Sequence, residues 1–451
     1  MNILFVLYGD FRSNSANPLA LYARELQAYG HNSVIAVPAN LEESVNLHEY
    51  RAFIPMLYTD VLEAPDSVFP DGRPADVIHA CTPREVVRRF VTVYMTKRPT
   101  PLVIYLEDNE RWIALHELGL QEDALSWATD LNIAQRLPGA LSHPFRYDSF
   151  IRLADAVAVI QDKLQREVPH GVPCDTVMLG VDLQFFSPRP ADPRWSSKCG
   201  IAEGERVIVY HGGVDQFKKS AIEALCRAVG IINKRGYRCK LVRTGLRPLD
   251  FLDKLPPENS AMITDLGFLP RAELPSILSL ADVFVQPGEI NAFEDLRLPG
   301  KVPEFLAMGR PVVMPDVNIS HLFTDEVNAV LLRTGSAEEI ADKCVGLFSN
   351  PQKADVIGRA GRLFAEQYFD VRRQAKRLEQ VYQSACSNFN PEVQSKIWKL
   401  EKKVDDFRDV AAERDALVSI MLSSRSWKIT RPLRVMSRLA RSVQSFFIPP
   451  R

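Results

Sequence analysis

The apolar residues of the N-terminal half fall in short, nearly continuous runs that alternate with helix-like stretches. Residues 2–8 form the first run, a polar loop follows, and a helix with one apolar face is predicted to begin at Pro18. Further strands are predicted at residues 33–38, 75–80, 102–106 and 156–160. Continuous apolar runs suit parallel strands that are covered on both faces. Their alternation with helices predicts a doubly wound α/β domain.

The same alternation restarts after a proline-rich polar stretch at residues 187–192. Strands are predicted at residues 207–210, 240–243, 283–286, 311–314 and 329–332. A helix around residues 362–384 is predicted to close this unit. We therefore predict two Rossmann-like domains, at residues 1–186 and 187–388.

Beyond Asn388 the pattern becomes helical only. Apolar positions recur at alternating steps of three and four, interrupted by one arginine: Ile397, Leu400, Val404, Phe407, Ala411, Arg414, Val418 and Met421. This heptad seam predicts a coiled-coil helix at residues 389–423, whose residues 397–421 would pair in a homodimer or with a partner helix. A single amphipathic helix that packs on the body of the protein is the alternative.

The last segment, residues 424–451, carries basic residues and no acidic ones. Its basic residues are Arg425, Lys428, Arg431, Arg434, Arg438, Arg441 and Arg451. Val435, Leu439, Val443 and Phe446 share one helical face. A basic amphipathic segment of this kind predicts binding to an anionic membrane surface. A disordered basic tail is the alternative.

Composition narrows the class of protein. With 46% hydrophobic and 25% charged residues, the 451-residue chain is typical of a soluble globular protein. A net charge of -1 provides no overall attraction to nucleic acid, and no nucleic-acid partner is expected. The seven cysteines are scattered without CxxC spacing, which favours a reducing cytoplasm over a disulfide framework or a zinc site. No apolar stretch reaches the ~20 residues that span a bilayer.

Candidate ligand-binding residues lie in the loops that follow strands, where open α/β sheets bind their ligands. The loop that begins at Gly9 leads into a helix start, which favours anions. Gly212 and Gly213 allow close approach of a ligand to the backbone, and the following lysines, Lys218 and Lys219, can meet a diphosphate. Arg243 offers another cation after the next strand.

The most specific stretch is residues 286–313. A strand there ends in a long polar loop, a helix begins near Pro303, and Gly309 ends that helix before another strand. A carboxylate at such a helix start can accept two sugar hydroxyls, and nearby cations can neutralise a diphosphate. Lys301 and Arg297 are the nearest such cations.

The order of these features resembles the retaining GT-B-fold glycosyltransferases, especially family 4. Residues 304–313 look like that family's donor-site helix, E-A-M-A-x-G-x-P-V-V, and residues 180–188 are similar to its interdomain motif, G-V-D-x-x-x-F-x-P. Residues 265–269 and 280–287 also match the family in spacing. The resemblance covers roughly residues 1–385, and it implies two Rossmann-like domains that face each other across a cleft.

The resemblance assigns roles to individual residues of the second domain. It implies that Glu304 binds the ribose hydroxyls of a nucleotide and that Lys218, or Lys219, binds the phosphate. The backbone around Gly288 and Asn291 would face the donor sugar.

This chain departs from the family in the loop before the donor-site helix and after the first strand of the second domain. Leu296 stands where the first glutamate of the family's E-x7-E is expected, so Glu289, Glu294 or Asp295 is predicted to substitute. Gly213 stands where the family carries an arginine, and Arg243 or Arg297 is predicted to supply the missing cation.

The first domain lacks the histidine that the family often carries after a strand. An acidic cluster stands there, in which Glu107 and Asp108 are predicted to orient sugar hydroxyls or an acceptor nucleophile. A solvated loop is the alternative. His79 ends another strand and is predicted to line the same cleft, with a structural histidine as the alternative.

The resemblance implies a metal-independent hexosyltransferase that acts with retention on a glycan or lipid-linked acceptor. We expect no cofactor other than the nucleoside diphosphate sugar, and no obligatory metal, since no Asp-x-Asp pair ends a strand. Residues 426–434 resemble a tail of bacterial polysaccharide-assembly transferases, which implies surface polysaccharide or lipopolysaccharide biosynthesis at the inner face of the cytoplasmic membrane. A catalytically silent scaffold and a nucleotide-sugar epimerase are the alternatives.

Overall fold

The computed structural model describes residues 1–47, 52–214, 218–248, 251–252 and 255–424. Within these ranges the strands form two parallel sheets, one in each half of the chain. Helices flank both sheets, as the alternating pattern predicted. The predicted basic segment at residues 425–451 lies outside the described residues.

The first sheet is built from short strands that are largely buried. Its strands are β1 (Asn2–Leu7), β2 (Asn32–Val37), β3 (Ile54–Leu57), β4 (Val77–Cys81), β5 (Leu102–Leu106), β6 (Ala156–Val159) and β7 (Cys174–Thr176). They lie side by side in the order β3-β2-β1-β4-β5-β6-β7. Successive strands are added on one side of β1 up to β3 and on the other side from β4 onward. This change of order, the topological switch point, opens a crevice at the carboxyl ends of β1 and β4.

Helices cover this sheet on both sides. They are α1 (Ala16–Ala28), α2 (Tyr58–Glu63), α3 (Glu85–Lys97), α4 (Glu110–Leu118), α5 (Asp130–Ala134) and α6 (Tyr147–Arg152). Helix α1 buries Leu19, Tyr22 and Leu26, which lie on one face because they are spaced by three and four residues. Its N-terminus therefore sits at the crevice beside β1.

The second sheet repeats the arrangement. Its strands are β8 (Arg206–His211), β9 (Cys239–Thr244), β10 (Ile263–Asp265), β11 (Val283–Val285), β12 (Val312–Pro315) and β13 (Val330–Leu332), in the order β10-β9-β8-β11-β12-β13. Its helices are α7 (Pro193–Lys198), α8 (Lys219–Lys234), α9 (Pro257–Ser260), α10 (Leu274–Leu278), α11 (Ala292–Asp295), α12 (Lys301–Ala307), α13 (Ala337–Ser349) and α14 (Pro351–Tyr368). The switch point lies between β8 and β11, so the loops after these strands share one edge.

The ten predicted strands are confirmed to within two residues at either end. Three others, β3, β7 and β10, were missed. They are only three or four residues long and largely half-exposed or exposed, so they lack the continuous apolar run that marks the central strands.

The predicted single helix at residues 362–384 is wrong. Helix α14 ends at Tyr368, and α15 (Val371–Asn388) starts anew, because Asp370 caps it by accepting a hydrogen bond from the Arg372 backbone. Helix α15 does not stay with the second sheet but packs on α1 and on the first sheet. His31 lies 3.0 Å from Glu379 across this contact.

The last helix, α16 (Pro391–Ser423), packs on α3 of the first domain, as the alternative to the coiled coil anticipated. Trp398 and Asp405 face the body and are buried. The predicted seam residues from Leu400 onward point to solvent instead. Pairing through this seam stays a prediction. No helix among the described residues is both long and apolar enough to cross a membrane.

Candidate functional site

A cleft of about 350 Å³ lies between the carboxyl edges of the two sheets. Both domains supply its walls. Its charged and histidine side chains are Glu107 and Asp108 from the first domain and His211, Lys218, Arg271, Arg297, Lys301 and Glu304 from the second. Basic residues dominate the second-domain wall, whereas carboxylates dominate the first.

Glu304 sits on the floor of the cleft in the first turn of α12. Its Oε2 lies 2.6 Å from His211 Nε2, and its Oε1 accepts a hydrogen bond from Arg271 Nη1 at 3.0 Å. Burial opposes ionisation of this carboxyl group, but Arg271 and His211 outweigh it and lower the pKa of Glu304 to about 2. Each carboxylate oxygen keeps further acceptor capacity, so an ionised Glu304 can still bind hydroxyl groups.

Lys301 stands over the glycine turn that follows β8. Gly212 has a φ of +143°, and a Cβ there would lie only 2.6 Å from Lys301 Nζ. Gly245 packs against the same turn, since a Cβ on Gly245 would lie 2.5 Å from the Gly212 carbonyl carbon. The missing side chains therefore leave room for the Lys301 ammonium directly above the turn.

The prediction that Arg243 supplies a cation to the ligand is wrong. Its side chain is fully buried, and Nη1 donates to Asp265 Oδ1 at 2.8 Å. Nη2 donates to the carbonyls of Gly212 and Gly245 at 3.3 and 3.1 Å. Arg243 thus supports the two glycine turns from beneath and is not in the cleft.

The structure separates the two candidate lysines. Lys218 lines the cleft, next to Gly212 and Gly213. Lys219 is the first residue of α8 and lies 3.9 Å from Glu223, one turn further along that helix. Of the two candidates, Lys218 is therefore the one that lines the cleft, and its binding of phosphate stays a prediction.

The candidates at the start of the loop after β11 lie beside the cleft. Glu289 is exposed and accepts hydrogen bonds from Ser220 and Asn291. Asn291 also caps α11, and Gly288 packs close to Pro315. Gly288, Glu289 and Asn291 are not among the residues that line the cleft, and their contact with the donor stays a prediction.

Leu296, which stands where the family's first glutamate is expected, is buried in the core. Of its predicted substitutes, Glu294 is paired with Arg297 at 2.8 Å and Asp295 with Lys163 of the first domain at 2.6 Å. Arg297 itself reaches the cleft and lies 4.0 Å from Asp108. This loop therefore links the two domains and brings one cation to the site.

On the first-domain wall, Glu107 and Asp108 lie at the carboxyl end of β5. Glu107 accepts hydrogen bonds from Ser15 and from the Cys81 thiol, the latter at 3.3 Å. Burial raises the pKa of Glu107 to about 7. Burial also raises the pKa of Asp108 to about 6, although Arg297 acts in the opposite direction. Both residues line the cleft, so this segment is not a fully solvated loop.

The predicted role of His79 in the cleft is wrong, because its side chain is buried in the core. Its Nδ1 lies 2.9 Å from the Tyr382 hydroxyl, on α15. Burial lowers the pKa of His79 to about 3, so the ring stays neutral. Gly9 likewise does not line the cleft, although Asn14 and Asn17 from the loop and helix that follow it do.

The partners of Glu304 were not identified from the sequence. His211 ends β8, and its position at a carboxyl strand end was an available signal. Arg271 lies in a short 3-10 helix after β10 and carries no local signal of its own. Only the packing of this turn against α12 brings its guanidinium to Glu304.

Two doubly wound parallel sheets whose carboxyl edges face one cleft define the GT-B architecture. Residues 205–350 match the family model described as "Glycosyl transferases group 1". The structure is similar to HepE of Anabaena in complex with UDP and glucose, with a TM-score of 0.64 and 17% identity, over 85% of this chain and 100% of that one. It is also similar to sucrose-phosphate synthase of Thermosynechococcus elongatus, with a TM-score of 0.62 and 13% identity, over 86% and 100%.

Among curated proteins, a D-inositol 3-phosphate glycosyltransferase of Saccharomonospora viridis is 27% identical over 235 residues. That match covers 48% of this chain and 51% of the relative, so it spans about half the length of the curated protein. The chain thus has the GT-B fold, and residues 205–350, within its second domain, match a glycosyltransferase family model.

Proposed function

We propose that this protein is a glycosyltransferase that moves a hexosyl unit from a nucleoside diphosphate sugar to a glycan or lipid-linked acceptor, with retention. The observation that carries the proposal is Glu304, held ionised between His211 and Arg271 on the floor of the cleft. A buried anionic acceptor is suited to a pair of ribose hydroxyls. The relative named as an inositol phosphate glycosyltransferase and the neighbour bound to UDP are consistent with this assignment.

The leaving diphosphate would lie between Glu304 and the cations of the same wall. Lys218, Lys301 and Arg297 line the cleft. Negative charge develops on the diphosphate as the glycosidic bond breaks, and preorganised cations in a partly enclosed site stabilise it. Lys301 supplies a positive charge near Gly213, where the family's arginine is absent.

The acceptor would approach from the first domain. Glu107 and Asp108 face the cationic wall across the cleft. With a pKa of about 7, Glu107 can accept or release a proton at neutral pH, which suits a group that orients a reacting hydroxyl. We assign both carboxylates to the acceptor side.

The expected setting is bacterial surface polysaccharide or lipopolysaccharide biosynthesis at the inner face of the cytoplasmic membrane. It is proposed from the resemblance of residues 426–434 and the basic composition of residues 424–451. Deleting residues 424–451 should move the protein from the membrane fraction to the soluble fraction. Activity that persists in EDTA would support the proposed independence of metal.

A second candidate is a catalytically silent scaffold, and one observation favours it. Leu296 is buried where the family's first glutamate is expected, and Glu289 is held away by Ser220 and Asn291. A scaffold would show no turnover. Hydrolysis of the donor in the absence of acceptor would therefore reject it.

The first experiment is a thermal-shift screen against UDP, GDP, ADP, dTDP and CMP. A ligand at a hundred times its Kd adds about 2.7 kcal/mol to the free energy of unfolding. One nucleotide should shift the melting temperature, and Glu304→Gln should abolish that shift while Glu289→Gln retains it. Absence of any shift in the folded wild type would contradict a nucleotide site. An inverted anomeric configuration of the product, measured by NMR, would contradict retention alone.

A further inference from the structure

From Asp405 onward, helix α16 contacts the first domain largely through charged residues. Arg88 of α3 contacts Asp405 at 2.8 Å, and Arg89 contacts Asp409 at the same distance. Near the end of this contact, Gln135 donates to Asp415 at 2.9 Å. These carboxylates of α16 therefore lie on the side that contacts the first domain, while the apolar residues of the last two turns are exposed.

The last two turns of α16 extend beyond this contact. Every residue from 416 to 423 is exposed, and residues 416–424 carry no charge. Leu417 is 61% and Ile420 65% exposed. We call residues 416–422 the tip of α16.

The apolar residues of the tip surround the helix rather than form a stripe. Successive residues are rotated by about 100°, so Leu417, Ile420 and Leu422 point in three different directions. A partner helix covers one seam of a coiled coil and would leave Ile420 in water. A lipid interface can cover all sides of the tip.

The dimensions and charges fit an interfacial contact. Seven residues rise about 10 Å, which matches the depth of about 5–10 Å of interfacial helices and is far below a bilayer span. Arg414 lies within the outward seam just before the tip, where it would oppose its own copy in a parallel dimer. The chain that follows the tip is basic and free of acids, so the positive charge lies on the far side of the tip, whereas Glu413 and Asp415 flank Arg414 before it.

We propose that the tip of α16 inserts into the interfacial layer of an anionic lipid bilayer and docks the first domain on it. Buried apolar area and the attraction of flanking basic residues to anionic lipid would act together. The inference rests on the exposure of the tip and on the basic composition of the chain that follows it, and it does not depend on the donor site.

The test is flotation of the full chain with phosphatidylcholine vesicles that contain or lack phosphatidylglycerol. We expect binding only when phosphatidylglycerol is present. Leu417→Asp with Ile420→Asp should weaken that binding at least about tenfold, since two apolar side chains leave the interface. The matched control is Val356→Asp with Leu363→Asp on α14, at 57% and 65% exposure, and should bind as the wild type does.

Three outcomes would overturn the proposal. Wild type that fails to float, or a tip variant that floats as well as wild type, would exclude insertion of the tip. A dimer in light scattering that the tip variant abolishes, without vesicle binding by the wild type, would assign the tip to a second copy of the chain. An unchanged melting temperature and nucleotide-induced shift in the tip variant would show that fold and donor site are intact.

Discussion

The two walls of the cleft each hold a carboxylate that is partly or fully withdrawn from water, and its pKa shifts in opposite directions on the two walls. Glu304 in the second domain lies between Arg271 and His211, and its pKa falls to about 2. Glu107 in the first domain accepts hydrogen bonds from the uncharged Ser15 and Cys81, and burial raises its pKa to about 7. The balance between desolvation and neighbouring charge thus yields a carboxylate that stays ionised beside Arg271 and one that titrates near neutral pH beside uncharged hydrogen-bond donors. The first suits binding of hydroxyls, and the second suits proton exchange.

The largest expected effect is on the carboxylate that stays ionised. Glu304→Gln should weaken nucleotide binding by about a thousandfold, because two charge-assisted hydrogen bonds to hydroxyls are lost and Arg271 loses the carboxylate that accepts its hydrogen bond. Isothermal titration with the nucleotide found in the thermal screen measures this. Glu289→Gln is the control, and equal affinities for the two variants would show that Glu304 is not in the site.

The cationic wall is tested next. Lys218→Ala should lower kcat by about a hundredfold, because a preorganised charge that stabilises the leaving diphosphate is removed. Lys219→Ala, one residue on and outside the cleft, should keep wild-type kcat in the same assay. If the two variants lose activity equally, the separation of these lysines by the structure has no functional meaning.

The raised pKa of Glu107 predicts that the free energy of unfolding depends on pH. Because the folded-state pKa of Glu107 is raised from 4.5 to about 7, its contribution is fully present below about pH 4.5 and is lost as pH rises through 7. Glu107→Gln should remove that loss, which we place at about 2 kcal/mol. Urea unfolding from pH 5 to pH 8 measures the difference. Parallel pH profiles for wild type and variant would contradict the raised pKa.

The lowered pKa of Glu304 predicts a pH dependence of stability with the opposite sign. Its folded-state pKa is lowered from 4.5 to about 2, so its contribution is present above pH 4.5 and is lost only as pH falls through 2. Between pH 5 and pH 8 the carboxyl group of Glu304 itself should therefore add no slope to the pH profile of stability. A changed slope of the Glu304→Gln variant in that window would indicate that a titrating group at this site depends on Glu304.

The smallest loss of nucleotide binding is expected at the glycine turn under Lys301. Gly212→Ala should weaken nucleotide binding about tenfold, because its Cβ would displace the Lys301 ammonium. Gly236→Ala is the control, since Gly236 also has a positive φ but a Cβ there meets open space. It should lose stability from backbone strain without losing affinity. If the Gly212→Ala variant binds the nucleotide as tightly as Gly236→Ala does, Lys301 does not contact the ligand.

Local pattern was enough to predict the central strands and part of the site. The apolar run at residues 102–106 became β5 with the same bounds, and Glu304, Lys218 and Lys301 were placed in the cleft by their positions after strands or at a helix start. Arg243 and His79 lie in or at the end of strands too, yet both are buried. Position along the chain identifies the edge of the sheet but not whether a side chain points into the cleft or the core.

The sequence by itself determined the two doubly wound domains, because strand and helix periods are properties of neighbouring residues. Tertiary structure decided that α15 returns to the first sheet, that α16 turns Asp405 inward, and that His211 and Arg271 meet Glu304. His211 and Glu304 are 93 residues apart in the chain. No local period encodes such a pair, because its geometry and its shifted pKa arise only when separate elements pack and exclude water.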